Sequence, residues 1–325
     1  MWKKVFILIL SLVFFGIVSI QPALAKEYPT KPVEIVSPYT PGSTTDMACR
    51  FVAEIAPKYL GQPVMVVNKT GAGGSIAAAD VISSKPDGYK LINLSNGFFA
   101  TTINTQKIPF DPRYLIPIAN VMELRHGLLV RGDSPWKTLG DLLDYGRKNP
   151  GKLRWAHAGR GITVHIMTAL IFRKAGVETI DLPYKGGPEI LSALLGGHVD
   201  AIGVPSGGVR DHVKTGMIKY LVVYADRRYS ELPEVPSAGE LGFTEVGKLA
   251  ALFGFYVHKD TPEKIKGTLI DVFKRTSEDP ELRKGIEKLG EEPKFGGPEF
   301  LTEAIKKTEE VAVPMLKELG LYVGK

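Results

Sequence analysis

Short apolar runs alternate with helix-periodic stretches along most of the chain, and this alternation restricts the fold more than any other feature. Val33–Ser37 reads as a strand, and Met47, Phe51 and Ile55 then recur at helical spacing. Val64–Val67 is a second strand, Ile76, Ala79 and Ile82 open a second helix, and Leu91–Leu94 is a third strand. Such a β-α-β-α-β order predicts a parallel sheet with helices on both faces. The theme returns downstream. Thr138–Gly146 reads as a helix closed by Asn149-Pro150-Gly151, Leu153–Ala156 as a strand, and Thr163–Lys174 as a helix stopped by Gly176. Thr179–Leu182, Ala201–Val204 and Leu221–Tyr224 read as strands, with helices over Glu189–Leu195 and Val209–Thr215 between them. Leu252–Val257 is one more strand, and Glu299–Leu319 reads as two closing helices. A length of 325 residues suits two such α/β units. No linker separates them, so the chain is expected to cross between them as extended segments, at Ile116–Val130 and Leu249–Val257.

The first 25 residues stand apart from this pattern. Trp2-Lys3-Lys4 is a basic start, Val5–Val18 is apolar apart from Ser11 and Gly16, and Ala23-Leu24-Ala25 is an A-x-A cleavage signal. This is the pattern of a secretory signal peptide cleaved after Ala25. The run is shorter than the roughly 20 residues a membrane span needs. An exported periplasmic protein is expected. Loss of Lys3 and Lys4 takes the formal net charge from +6 to +4. The charges are spread along the chain, which speaks against nucleic acid as a partner and mildly favours anionic ligands. The single cysteine, Cys49, rules out an internal disulfide scaffold.

Three loops join a strand to a helix start in a way that suits an anion. They are Pro38–Asp46, Asn68–Ser75 and Ala156–Thr163. Ligands of open α/β sheets sit beyond the carboxyl ends of strands, and a helix N-terminus offers free N–H groups and partial positive charge. The candidate ligand contacts are Tyr39, Thr40, Gly42, Ser43, Thr44, Thr45 and Asp46 in the first loop, and Ser75, Ile76 and Ala77 in the second. Asn96, after the third strand, and Gly159, Arg160, Gly161, Thr163 and His165 in the third loop complete the set. Arg160 reads either as a bidentate carboxylate clamp or as a surface arginine. His165 reads either as a ligand contact or as a hydrogen-bonded structural histidine. Trp155 reads either as a ligand-sensitive neighbour of the third loop or as plain sheet core.

Other chemistries find little footing. Gly71-Ala72-Gly73 and Gly159-Arg160-Gly161 lack the third glycine of a dinucleotide fingerprint, and no P-loop occurs. No H-E-x-x-H or Cys/His cluster points to zinc, so no metal and no cofactor is expected. Gly73-Gly74-Ser75-Ile76-Ala77 approaches a nucleophile elbow but ends in alanine, and Ser75 is better read as a helix cap.

Read in order, several segments resemble the extracytoplasmic receptors of tripartite tricarboxylate transporters, the Bug-type solute-binding proteins. The resemblance rests on Tyr28–Pro32, Tyr39–Asp46, Gly61–Val64 with Asn68–Gly74, Pro86–Tyr89, Leu153–His165, Pro183–Pro188, Leu194–Asp200, Leu232–Pro236 and Glu240–Gly242. It implies a two-lobed periplasmic binding protein of the type II, Venus-flytrap kind with two crossover segments. The lobes are then 26–124 plus 250–325, and 125–249. It further implies a small organic mono- or dicarboxylate held by main-chain N–H groups of the first two loops, delivery to membrane transporter subunits, a monomeric receptor and no catalysis. The rivals are an exported serine hydrolase using Ser75 and His165, and a receptor for an amino acid whose amine meets Asp46.

Overall fold

The computed structural model describes residues 27–249 and 251–323, so the signal-peptide reading lies outside the described residues. The first alternation folds as its pattern predicts. Strand β1 (Val33–Ser37), helix α1 (Thr44–Ile55), strand β2 (Val64–Asn68), helix α2 (Ser75–Ile82) and strand β3 (Lys90–Ser95) follow one another, and β1 pairs in parallel with both β2 and β3. Ile35 packs with Val52 and Ile55 of α1, whereas its neighbour Val36 packs with Ala77 and Val81 of α2. Successive strand residues point to opposite faces, so a helix covers each side.

The rest of the sheet is not parallel. Strand β4 (Leu115–Leu124) is followed after Arg125 alone by β5 (His126–Arg131), and the two lie in different sheets. Chain order continues with α3 (Leu139–Lys148), β6 (Leu153–His157), α4 (Thr163–Lys174), β7 (Thr179–Pro183), α5 (Gly187–Leu195), β8 (Ala201–Pro205), α6 (Arg210–Lys214) and β9 (Ile218–Val223). It ends with β10 (Ala251–His258), α7 (Glu263–Glu278), α8 (Pro280–Lys288), β11 (Glu292–Gly296) and α9 (Pro298–Glu318). The first sheet has the order β11-β4-β10-β3-β1-β2, the second β7-β6-β8-β5-β9. Strand β10 is antiparallel to β3 and β4, and β5 is antiparallel to β8 and β9. These are the crossing segments. A chain leaving one sheet for the other enters against the local strand direction, which a purely parallel expectation misses.

Residues 299–319, expected as two helices, form the single helix α9 with Pro314 inside it. The proline removes one main-chain donor, but Ala312, Met315 and Leu316 around it are buried and hold the helix continuous. Leu301 packs in the first sheet's core and Ala312, Met315 and Leu316 pack in the second's. The helix therefore straddles the two halves. Where β4 passes into β5, both halves are tied by main-chain groups. Ser206 donates its N–H to Arg125 O at 2.7 Å, and Arg210 donates to the carbonyls of Glu287 and Lys288 at the end of α8. Buried Glu291 accepts from Arg125 N–H at 2.6 Å and from Gly207 N–H at 2.9 Å. Among the described residues, no helix is long and apolar enough to cross a membrane.

Candidate functional site

The first loop is built around Asp46. Gly42 turns the chain with φ +78°, and Ser43 caps α1, its Oγ accepting from Asp46 N–H at 3.3 Å. The Asp46 carboxylate is only 1% exposed. It accepts from Gly42 N–H at 2.9 Å, from Asn68 Nδ2 at 2.7 Å, and from Arg50 through Nε at 2.9 Å and Nη2 at 3.2 Å. Burial opposes its charge, but the hydrogen bonds from Arg50, Asn68 and Gly42 outweigh it and hold the carboxyl below the usual carboxylate range. Asp46 thus joins the first loop to the end of β2. Its oxygens are engaged there, so the amino-acid reading loses the carboxylate it needs.

The second loop carries four consecutive residues with positive φ, Gly71 to Gly74, and the non-glycine among them is Ala72 at +46°. That backbone is costly for alanine. Gln106 steadies it, donating through Nε2 to Ala72 O at 2.8 Å and to Ser75 Oγ at 2.9 Å. Ser75 was expected as a cap. It is instead the first residue of α2, where Gly74 occupies the cap without a side-chain bond. The chain curls left-handed into the helix, so no serine is needed at that point. Ile76 is exposed and Ala77 is buried. Asn96 is also used internally, donating to Thr308 Oγ1 of α9 at 2.7 Å and accepting from Leu252 N–H at 2.8 Å.

In the third loop Arg160 does not clamp into the interior. Its side chain is 64% exposed and donates to Asp181 Oδ1 at 3.0 Å. His165 is buried below the loop, stacked on Trp155 with ring centroids 5.6 Å apart. Its Nδ1 accepts from Gly161 N–H at 3.2 Å. Ser75 bonds Gln106 and His165 bonds Gly161, so the serine–histidine pair of the hydrolase reading is not formed. Trp155 is fully buried and donates from Nε1 to Thr179 Oγ1 at 3.0 Å, which makes it sheet core.

What does come together is the seam between the two halves. A Cβ on Gly97 would lie 1.7 Å from Thr163 Oγ1, one on Gly186 would lie 2.1 Å from Thr40 Oγ1, and one on Gly207 would lie 2.6 Å from Thr44 Cγ2. Each pair has one member from either half, so the two halves are in contact along this seam, where Thr102 Oγ1 also donates to Gly161 O at 3.4 Å. Thr40 Oγ1 and Thr163 Oγ1 are buried there without a hydrogen-bond partner. Thr163, 5% exposed, is the first residue of α4, whose cap position holds Ile162 and no side-chain bond. A buried hydroxyl without a partner costs about 1–3 kcal/mol, and an uncapped helix start carries partial positive charge. The two features meet at one place. A cavity of about 530 Å³ lies elsewhere, lined by Trp155, Arg160, His165, Phe172, Asp181 and Leu321 among others. It reaches the third loop from outside, touching only Arg160 and His165 of the candidate set.

Sequence reasoning missed the glycines Gly97, Gly186 and Gly207, because each matters through a residue distant in the chain. It also missed Asp181, Gln106 and Glu291. The profile of the family described as "Tripartite tricarboxylate transporter family receptor" matches residues 48–321. The "UPF0065 protein in gbd 5'region" of Cupriavidus necator is 35% identical over 304 residues, covering 92% of this chain and 90% of that one. The structure "R. palustris Rpa4515 with adipate" superposes with TM-score 0.83 at 27% identity, over 90% of this chain and 99% of its own. "MatC (Rpa3494) from Rhodopseudomonas palustris with bound malate" gives TM-score 0.80 at 28% identity, over 88% of this chain and all of its own.

Proposed function

Because this chain belongs to the tripartite tricarboxylate transporter receptor family, we propose that it captures a small organic carboxylate between its two lobes in the periplasm and presents it to membrane transporter subunits. We take the lobes to be 26–124 with 250–325, and 125–249. The observation that carries this reading is the pair of buried, unpartnered hydroxyls, Thr40 Oγ1 and Thr163 Oγ1, facing the seam from opposite halves. A carboxylate placed there accepts from both and from the uncapped start of α4. Charge-assisted bonds of this kind are the strong ones in a site with little water. The relatives whose structures hold adipate and malate make a dicarboxylate the first class to try. Ligand acts by preferring the closed arrangement of the lobes, and closure is what the transporter subunits read.

A thermal-shift screen of mono- and dicarboxylates tests the reading. A ligand at 100 times its dissociation constant stabilises by about 2.7 kcal/mol, which raises the melting temperature by several degrees. At least one acid of this size is expected to do so. A panel in which amino acids or sugars stabilise and no acid does would overturn the proposal. The export half of the reading predicts a mature chain that begins at Lys26. Mass spectrometry of periplasmic protein checks it, and a retained Met1 or an attached lipid would contradict it.

A further inference from the structure

Three side chains meet beneath the third loop. His157 ends β6, His165 lies in the first turn of α4, and Asp181 lies on β7, which pairs with β6. Nε2 of His157 stands 3.1 Å from Asp181 Oδ2, and Nε2 of His165 stands 3.6 Å from the same oxygen. The other ring nitrogens are engaged as well. Gly159 N–H donates to His157 Nδ1 at 3.1 Å, and Gly161 N–H donates to His165 Nδ1 at 3.2 Å. A ring nitrogen that accepts a hydrogen bond carries no proton, so each neutral ring holds its proton on Nε2, toward Asp181.

We propose that Asp181 is the positioning residue of the third loop: accepting from His157 at 3.1 Å and setting its negative charge 3.6 Å from His165 Nε2, it favours the Nε2–H form of both rings and so makes their Nδ1 atoms the acceptors that shape residues 158–162. Its consequence for ligand affinity rests on the receptor reading above. The groups facing the cluster support the assignment. Arg160 occupies the second carboxylate oxygen, and with the histidines it holds the Asp181 carboxyl well below the usual range, the neighbouring His165 weighing most and burial opposing. Burial above all pushes His157 down to about 4 despite Asp181, so its ring is neutral at ordinary pH. Arg147, Arg173 and Glu178 line the outer cavity that reaches Asp181 and His165, and Trp155 stacks on His165. The donor atoms of His157, His165 and Asp181 lie within 4.8 Å of one another, a spacing that suits a metal ion. The hydrogen bonding does not. An imidazole binding metal through Nε2 carries its proton on Nδ1, and there it would meet the glycine N–H groups. A metal, or a second proton on either ring, is therefore incompatible with this loop shape.

Long-range ¹H–¹⁵N correlation spectra of the ligand-free mature chain at neutral pH read the tautomers directly. Both His157 and His165 are expected as the Nε2–H form. In Asp181→Asn the amide oxygen turns to Arg160, which has only donors to offer, and its NH₂ faces the rings. At least one ring is then expected to lose the Nε2–H form, with displaced Gly159 and Gly161 amide resonances. Arg160→Ala leaves the carboxylate and is expected to keep both tautomers. A role limited to stability would lower the melting temperature of Asp181→Asn and leave the tautomers alone. The proposal is overturned by an Nδ1–H form of either ring in the unsubstituted protein, a measurement that needs no variant, or by unchanged tautomers in Asp181→Asn. The expected tautomers in a protein that binds no carboxylate would sink the receptor reading only.

Discussion

Gly97→Ala is expected to weaken binding of the stabilising carboxylate by about 10- to 100-fold while leaving the melting temperature of the ligand-free protein nearly unchanged. The added Cβ would lie 1.7 Å from Thr163 Oγ1 across the seam. Gly97 has φ −61°, which suits alanine, so the substitution brings no backbone strain of its own. Overpacking a tight contact costs typically about 1–3 kcal/mol, and because the clash is relieved by parting the two halves, the cost falls on the arrangement in which they meet. Gly186→Ala acts at a second point, against Thr40 Oγ1 at 2.1 Å, and should behave alike. Gly267→Ala, on α7 with nothing near its Cβ, is the control and should bind normally. Calorimetric titration of the four proteins checks this. Unchanged affinity in both seam variants would show that the lobes do not close on these glycines.

Glu291→Ala is expected to lower stability by about 2–6 kcal/mol. The residue is 2% exposed and sits where β4 passes into β5. Its removal strands two main-chain donors, Arg125 N–H and Gly207 N–H, at about 1–3 kcal/mol each. The pH dependence has a definite sign. Burial pushes the carboxyl from 4.5 up to about 8, against the pull of those two N–H groups and of Arg125. Between these values the folded chain binds a proton that the unfolded chain has lost. The contribution of this group is therefore complete below pH 4.5 and is lost as pH rises toward 8. Glu291→Gln cannot titrate and should flatten that part of the profile, while still losing one bond because its NH₂ cannot accept. Urea unfolding across this pH range measures both effects. A Glu291→Gln profile parallel to that of the unsubstituted protein would assign the slope to other groups.

The sequence showed most of what is local and little of what is distant. Strand β1 announces itself by Val33, Ile35 and Val36 in the run Val33–Ser37, and the loops Pro38–Asp46 and Ala156–Thr163 by turn residues before helix starts. All of these act within a few residues. The antiparallel entry of β10 is not written in Leu252–Val257, because direction within a sheet is settled by partners more than 150 residues away, such as Leu94 opposite Gly254. The same holds at the site. Asp46 and Arg160 look free in the chain, yet their partners Asn68 and Asp181 arrive from neighbouring strands. Both are charges that local reading offers to a ligand and folding uses for the loops. The hydroxyls of Thr40 and Thr163 were legible only as candidate ligand contacts within their loops, not as groups left buried without a partner. Only the approach of Gly186 and Gly97 shows that they lie buried between the two halves.

Capture of an anionic group at the seam is distinguished from capture of a neutral one by a single comparison. The acid that stabilises the protein most is titrated calorimetrically beside its own primary amide, at matched pH and salt. Hydrogen bonds to a charged group are worth about 1.5–3 kcal/mol and neutral ones about 1 kcal/mol. The acid is expected to bind one per chain, and the amide at least about tenfold more weakly. Equal affinity for acid and amide would contradict the account, because a site made of helix-start donors and hydroxyls would then be recognising shape rather than charge.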